Sequence, residues 1–77
     1  MPISVGDMCP GDAGTIVKVS ASPHARRRLT EMGLVAGATV TLVRVAPLGD
    51  PLELRVGTAS LALRRATAAA VLLEPGM

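Results

Sequence analysis

No phenylalanine, tyrosine or tryptophan occurs anywhere in the chain. A core must therefore be assembled from valine, leucine, isoleucine, alanine and methionine. Such small side chains suit a tight barrel better than a wide layered sheet. Cysteine is nearly missing as well. A lone Cys9 cannot close an intrachain disulfide, so the fold has no covalent staple, and Cys9 reads as a small buried apolar residue. No apolar run approaches the roughly 18 residues that a bilayer span requires, and no basic stretch followed by an apolar one marks a signal peptide. These absences point to a reduced, cytoplasmic setting without membrane insertion.

Catalytic equipment is equally sparse. An enzyme needs a nucleophile with its base, an acid–base pair, or a metal with an open position. The only histidine, His24, lies far in sequence from Cys9, and it reads as a surface residue rather than a ligand. No CxxC, HExxH or glycine-rich phosphate loop is present. We therefore expect no catalytic residue, no cofactor and no metal site within one chain. A metal shared by two copies through His24 and acidic residues stays open as an alternative.

What the chain does contain fits one small domain. At 77 residues, it buries roughly 60% of its unfolded surface, which leaves a thin stability margin. Half of it is hydrophobic, too much for a disordered segment. The net charge is only +2, yet seven of the eight basic residues are arginine. Five of these lie in two runs, Arg26-Arg27-Arg28 and Arg64-Arg65. Guanidinium groups bond carboxylates and phosphates through two nitrogens at once, so such runs suit acidic surfaces. A solvated helix face is the plainer reading of each one.

Residues 1–10 show no clear period and read as an N-terminal turn, with Val5 and Met8 covering one end of a core. Gly14 frees the chain to enter a first strand, 15–19. Its alternation is poor, because Ile16, Val17 and Val19 cannot share a side; a strand covered on both faces would account for this. A helix over about 22–32 follows. Ser22 caps it and Pro23 opens it. Ala25, Leu29 and Met32 make its apolar stripe. Gly33 takes the left-handed position past its end, and Leu34 folds back onto the stripe.

Gly37 turns the chain into a second strand, 39–46. Val40 and Leu42 share one face of it and Val43 and Val45 the other, which predicts a bulge or bend. Next comes a stiff loop, Pro47-Leu48-Gly49-Asp50-Pro51. Leu48 sits near its tip, either as a contact for a partner or folded back onto the core. Then Leu52, Leu54 and Val56 alternate with polar residues, and Ala59, Leu61 and Leu63 do the same after Gly57-Thr58. This predicts a hairpin with a type II′ turn, Val56 opposite Ala59, Leu54 opposite Leu61 and Leu52 opposite Leu63. A helical turn near 65–69, a closing strand over 71–73 and a frayed tail at 74–77 complete the reading. The result is a mainly β fold: a five-stranded, partly open barrel with one inserted helix.

Nucleic acid is one candidate partner. Residues Gly11-Asp12-Ala13-Gly14-Thr15-Ile16-Val17 loosely resemble the KOW-type pattern of RNA-binding barrels. Against RNA stand the small net charge and the lack of any aromatic platform for stacking bases.

A longer pattern is more specific. Arg28-Leu29, Met32-Gly33-Leu34, Gly37, then Ala46-Pro47-Leu48-Gly49-Asp50-Pro51, then Leu63-Arg64-Arg65 and Ala68 together resemble the FeoA family over residues 11–73. Ala36 departs from it where proline is common, and Val5 and Met8 stand where leucines are more usual. The resemblance implies an SH3-like barrel and a cytoplasmic accessory role in ferrous-iron transport. It implies a partner, the GTP-binding part of the membrane transporter FeoB. The contact surface it suggests is Arg26, Arg27 and Glu31 with the loop tip Leu48-Gly49-Asp50, Arg64 and Arg65 being weaker candidates because one can brace the barrel. Leu29, Met32, Gly33, Leu34, Gly37, Pro47 and Pro51 carry the structural motif. A related domain also ends some iron-dependent repressors, so a repressor-type interaction module is the alternative within the same fold.

Overall fold

The computed structural model describes residues 3–75. Met1, Pro2, Gly76 and Met77, which the sequence assigns to the N-terminal turn and the tail, lie outside the described residues. In chain order the elements are β1 (Ile3–Ser4), a 3-10 turn (Val5–Asp7), β2 (Ala13–Val19), α1 (Pro23–Glu31), β3 (Thr39–Val45), β4 (Leu52–Val56), β5 (Ala59–Leu63), α2 (Arg65–Ala68) and β6 (Val71–Pro75). The strands form one antiparallel sheet in the order β1-β6-β2-β3-β4-β5. It has six strands rather than five. The extra one, β1, is two residues long and carries no sequence period; its pairing of Ile3 with Leu73 and Ser4 with Leu72 defines it.

The β4–β5 hairpin has the expected register, Val56 with Ala59, Leu54 with Leu61 and Leu52 with Leu63. Gly57 takes φ +62° at the first turn position, as a II′ turn requires. In β3 the pairing with β4 steps from Leu42 to Arg44, so Val43 is the bulged residue and is half exposed. The bulge switches the strand's phase, which explains why Val43 and Val45 follow Val40 and Leu42 out of step. A second bulge corrects the reading of β2. Its pairing with β6 steps from Ile16 to Lys18, and Val17 is 42% exposed. The broken alternation therefore reflects an extra residue, not cover on both faces.

Gly14 matters for a reason other than turning. A β carbon there would lie 2.6 Å from the Glu74 carbonyl oxygen and 2.6 Å from a Leu73 methyl group, so only glycine permits the close approach of β2 to β6. That approach also corrects the tail. Thr15 pairs with Glu74 and Gly14 with Pro75, which places both residues in β6.

Helix α1 begins and ends as its sequence dictates. The Ser22 hydroxyl oxygen accepts the Ala25 amide at 3.3 Å. At the other end Gly33 (φ +92°) follows Met32; the Leu34 amide donates to the Leu29 carbonyl and the Gly33 amide to the Thr30 carbonyl, both at 3.0 Å. This paired closure turns Leu34 back into the core, where it is fully buried. The apolar stripe is less uniform than its spacing suggests. Leu29 is buried, Ala25 is half-buried and Met32 stays 39% exposed. Cys9 is also exposed rather than buried, because its segment is a surface turn in which the Asp12 carboxylate accepts the Cys9 amide at 2.8 Å.

The barrel interior is wholly aliphatic. Val40, Leu42, Leu52 and Leu54 from the bent β3–β4 pair meet Ile16, Val71 and Leu73 from β2 and β6. Val5 and Ala68 cover one end. No polar or charged side chain is buried among the described residues, so apolar burial holds this fold together. At about 25 cal/mol per Å2, each fully buried leucine contributes on the order of 2 kcal/mol.

Candidate functional site: a braced loop beside arginine-lined grooves

The loop between β3 and β4 is closed by its own backbone. The Gly49 amide donates to the Ala46 carbonyl at 2.8 Å, and the Ala46 amide to the Pro51 carbonyl at 3.1 Å. The Asp50–Pro51 peptide is cis. At the tip, Leu48 is 97% exposed. It does not fold back onto the core.

The loop's own Asp50 and two arginines from distant sequence hold it in place. The Asp50 carboxylate accepts the Arg65 amide at 2.9 Å, so the loop caps the first turn of α2. The Arg65 guanidinium then donates to the Gly49 carbonyl and to the Gly6 carbonyl, each at 3.0 Å. Arg64 reaches the other Asp50 oxygen at 3.6 Å, mostly in solvent. Loop, α2 and the 3-10 turn are thereby tied into one unit. Arg65 is the brace of the pair, and Arg64 touches the loop only at Asp50.

Two of the three arginines of α1 line separate grooves. Residues two apart on a helix point about 200° from each other, and Arg26 and Arg28 do so. Arg26 borders a groove of about 260 Å3 with Lys18, Thr30, Leu34 and Val35. Arg28 borders another, of about 250 Å3, walled by Ala25, Leu29 and Met32 of α1, by Ala62 and Leu63 of β5, and by Arg64 and Thr67. Arg27 and Glu31 are exposed and make no ion pair among the described residues.

The candidate residues therefore form more than one group. Gly49, Asp50, Arg64 and Arg65 are joined by direct contacts, and Leu48 projects from them. Arg26 lies at a different groove. Arg28 was missing from the sequence-derived set. Its signal lay in the helical spacing, since Arg28 stands four residues from the half-exposed Met32 and shares its wall of the groove. Among the described residues no group of three or more His, Cys, Asp and Glu side chains is arranged to hold a metal ion, and no helix is long and apolar enough to cross a membrane.

The bent antiparallel sheet, the helix inserted between β2 and β3 and the braced loop define a small SH3-like barrel domain. A model of the FeoA domain matches residues 3–75, and the chain belongs to the FeoA family.

Similar proteins agree with this. A Fe(2+) transport protein A/Fe(2+) transporter FeoB fusion protein of Porphyromonas gingivalis is 39% identical over 70 residues, which is 91% of this chain but 8% of that protein. This chain thus spans a small fraction of that relative's length. The solution structure of a Chlorobium tepidum FeoA protein is 36% identical, covers 92% of this chain and 69% of its own, and superposes with a TM-score of 0.85. A Stenotrophomonas maltophilia FeoA, an SH3 domain protein crystallised with zinc, is 29% identical over 94% of this chain and 89% of its own, with a TM-score of 0.82.

Proposed function

We propose that this protein is a cytoplasmic accessory of ferrous-iron transport that docks on the GTP-binding part of a FeoB-type transporter. The observation that carries this reading is the Porphyromonas relative, in which a matching domain and a FeoB transporter share one polypeptide. A tether holds two modules at millimolar effective concentration. Docking between the two modules needs a complementary interface whether or not they share a chain. The surface offered for that interface centres on Leu48, an aliphatic side chain in full solvent on a loop held at its base. Arg64 flanks it, and Arg26, Arg27 and Glu31 of α1 extend the candidate contact. Gly49, Asp50 and Arg65 shape the loop itself.

The test is titration of the soluble GTP-binding domain of the cognate transporter with this protein, loaded with GDP or with a GTP analogue, alongside GTP turnover. Saturable binding that weakens in Leu48→Asp supports the reading. A difference between the nucleotides makes the protein a reader of the switch state, and equal binding makes it a scaffold. No binding to either form refutes docking on the GTP-binding part.

A further inference from the structure

The sheet ends on β5, and this end is unprotected. Edge strands are normally shielded by charge, proline, a bulge or shortness. The opposite edge, β1, is only two residues long. In contrast β5 runs for five residues, Ala59-Ser60-Leu61-Ala62-Leu63, in unbroken register with β4 and without a charge or a proline. In a hairpin with a two-residue turn, Val56 and Ala59 form the first hydrogen-bonded pair and alternation follows from there. Ser60 and Ala62 therefore turn their N–H and C=O groups away from β4. Both residues are exposed, and neither backbone has a partner on that side among the described residues.

This edge borders a cleft. Ala62 and Leu63 form one wall of the groove whose other wall is Ala25, Arg28, Leu29 and Met32 of α1. Leu29 and Leu63 supply an apolar floor, and Met32 presents exposed apolar surface. Both charged residues on the lining, Arg28 and Arg64, are cationic; the one carboxylate close to either is Asp50, 3.6 Å from Arg64 and exposed, outside the lining. A slot between a free strand edge and a helix is where extended peptides add to a sheet, main-chain bonds giving affinity and alternate side chains giving selectivity.

We propose that the slot between β5 and α1 binds an extended acidic segment of another protein as a seventh strand. Its backbone pairs with Ser60 and Ala62. An aliphatic side chain lies against Leu29 and Met32, and flanking carboxylates meet Arg28 and Arg64. This surface meets the Leu48 loop only at Arg64 and does not depend on which transporter the protein serves.

The probe is a blocked peptide of about seven residues alternating glutamate and valine, long enough to run along β5 at about 3.3 Å per residue. Its binding is followed by amide NMR shifts and hydrogen exchange on the whole chain. The expected result is protection of the Ser60 and Ala62 amides, saturating with peptide. Methylating alternate peptide nitrogens, or replacing glutamate by lysine, should weaken binding by at least about tenfold. Ala62→Pro should do the same while keeping the fold, because its N–H faces the open edge where proline is tolerated. Arg28→Glu with Arg64→Glu provides a second variant that leaves the strand untouched, and it too should lose the acidic peptide. No protection of Ser60 and Ala62 at millimolar peptide overturns the proposal, as does undiminished binding by folded Ala62→Pro. Protection that grows with protein concentration alone would seat a second copy of this chain on the edge, which also overturns it.

Discussion

The Asp50 carboxylate caps the backbone of Arg65 across 15 positions of sequence, with 2.9 Å between oxygen and nitrogen. A loop thus supplies the cap that α2 lacks locally, since Arg64 at the N-cap position offers no side-chain acceptor to the helix. The link makes the loop's position depend on α2, and α2 in turn packs Ala68 into the core.

Removing this cap should cost stability. Asp50→Ala is expected to lose about 1 kcal/mol, the usual worth of an N-cap. Asp50→Asn keeps an acceptor oxygen and should lose less. The exposed pair with Arg64 adds little. Urea denaturation of the two variants checks the order, and an unchanged midpoint in Asp50→Ala would mean that the cap contributes nothing.

Arg65 serves the fold before any partner. Arg65→Ala removes donors to Gly49 and Gly6 and should cost about 1–2 kcal/mol in a chemical melt. Lysine keeps the charge but cannot span both carbonyls with one planar fork, so Arg65→Lys should rescue little. For this reason a binding-defective variant should combine Arg26→Ala and Arg27→Ala and leave Arg65 intact.

Leu48 should separate stability from binding. It is 97% exposed, so Leu48→Asp is expected to shift stability by no more than about 0.5 kcal/mol. Under the proposed function it should weaken transporter binding at least about tenfold. Calorimetry of the binding and a thermal melt on the same sample read both quantities.

Gly14→Ala probes the closest strand approach. The added carbon meets a backbone oxygen, which cannot swing aside as a side-chain tip could. A loss of about 1–3 kcal/mol is expected, as for other overpacked sites. Unchanged stability would show that β2 and β6 can separate at no cost. In a chain of this size, with a total stability of about 4–11 kcal/mol, the predicted loss is easily measured.

Much of this was legible because local chemistry and long-range packing agree. The hairpin register follows from two alternating runs around Gly57-Thr58, and α1 follows from Ser22, Pro23 and Gly33. The phase change at Val43 marked a real bulge. At Val17 a bulge was also written in the sequence, but Ile16, Val17 and Val19 within four residues allow two explanations, and only the pairing with β6 chooses between them. Strand β1 and the last residues of β6 carry no period of their own. β1 is defined by its pairing with Leu72 and Leu73 of β6, and the last residues of β6 by theirs with Thr15 and Gly14 of β2. The candidate site shows the same divide. An exposed Leu48 could be suspected from the stiff loop that carries it. The Asp50–Arg65 link joins residues that no local rule connects, and Arg28 was masked by its neighbours in a run of three identical residues.

The pairing of β1 with β6 sets Ile3 opposite Leu73, so the two ends of the described chain leave the sheet side by side. A barrel whose ends emerge at one place behaves like a plug on a two-wire lead. It can be spliced into a longer polypeptide without stretching a linker across its surface. The architecture is portable, and a relative that carries the matching domain as 8% of its length is a setting such portability allows.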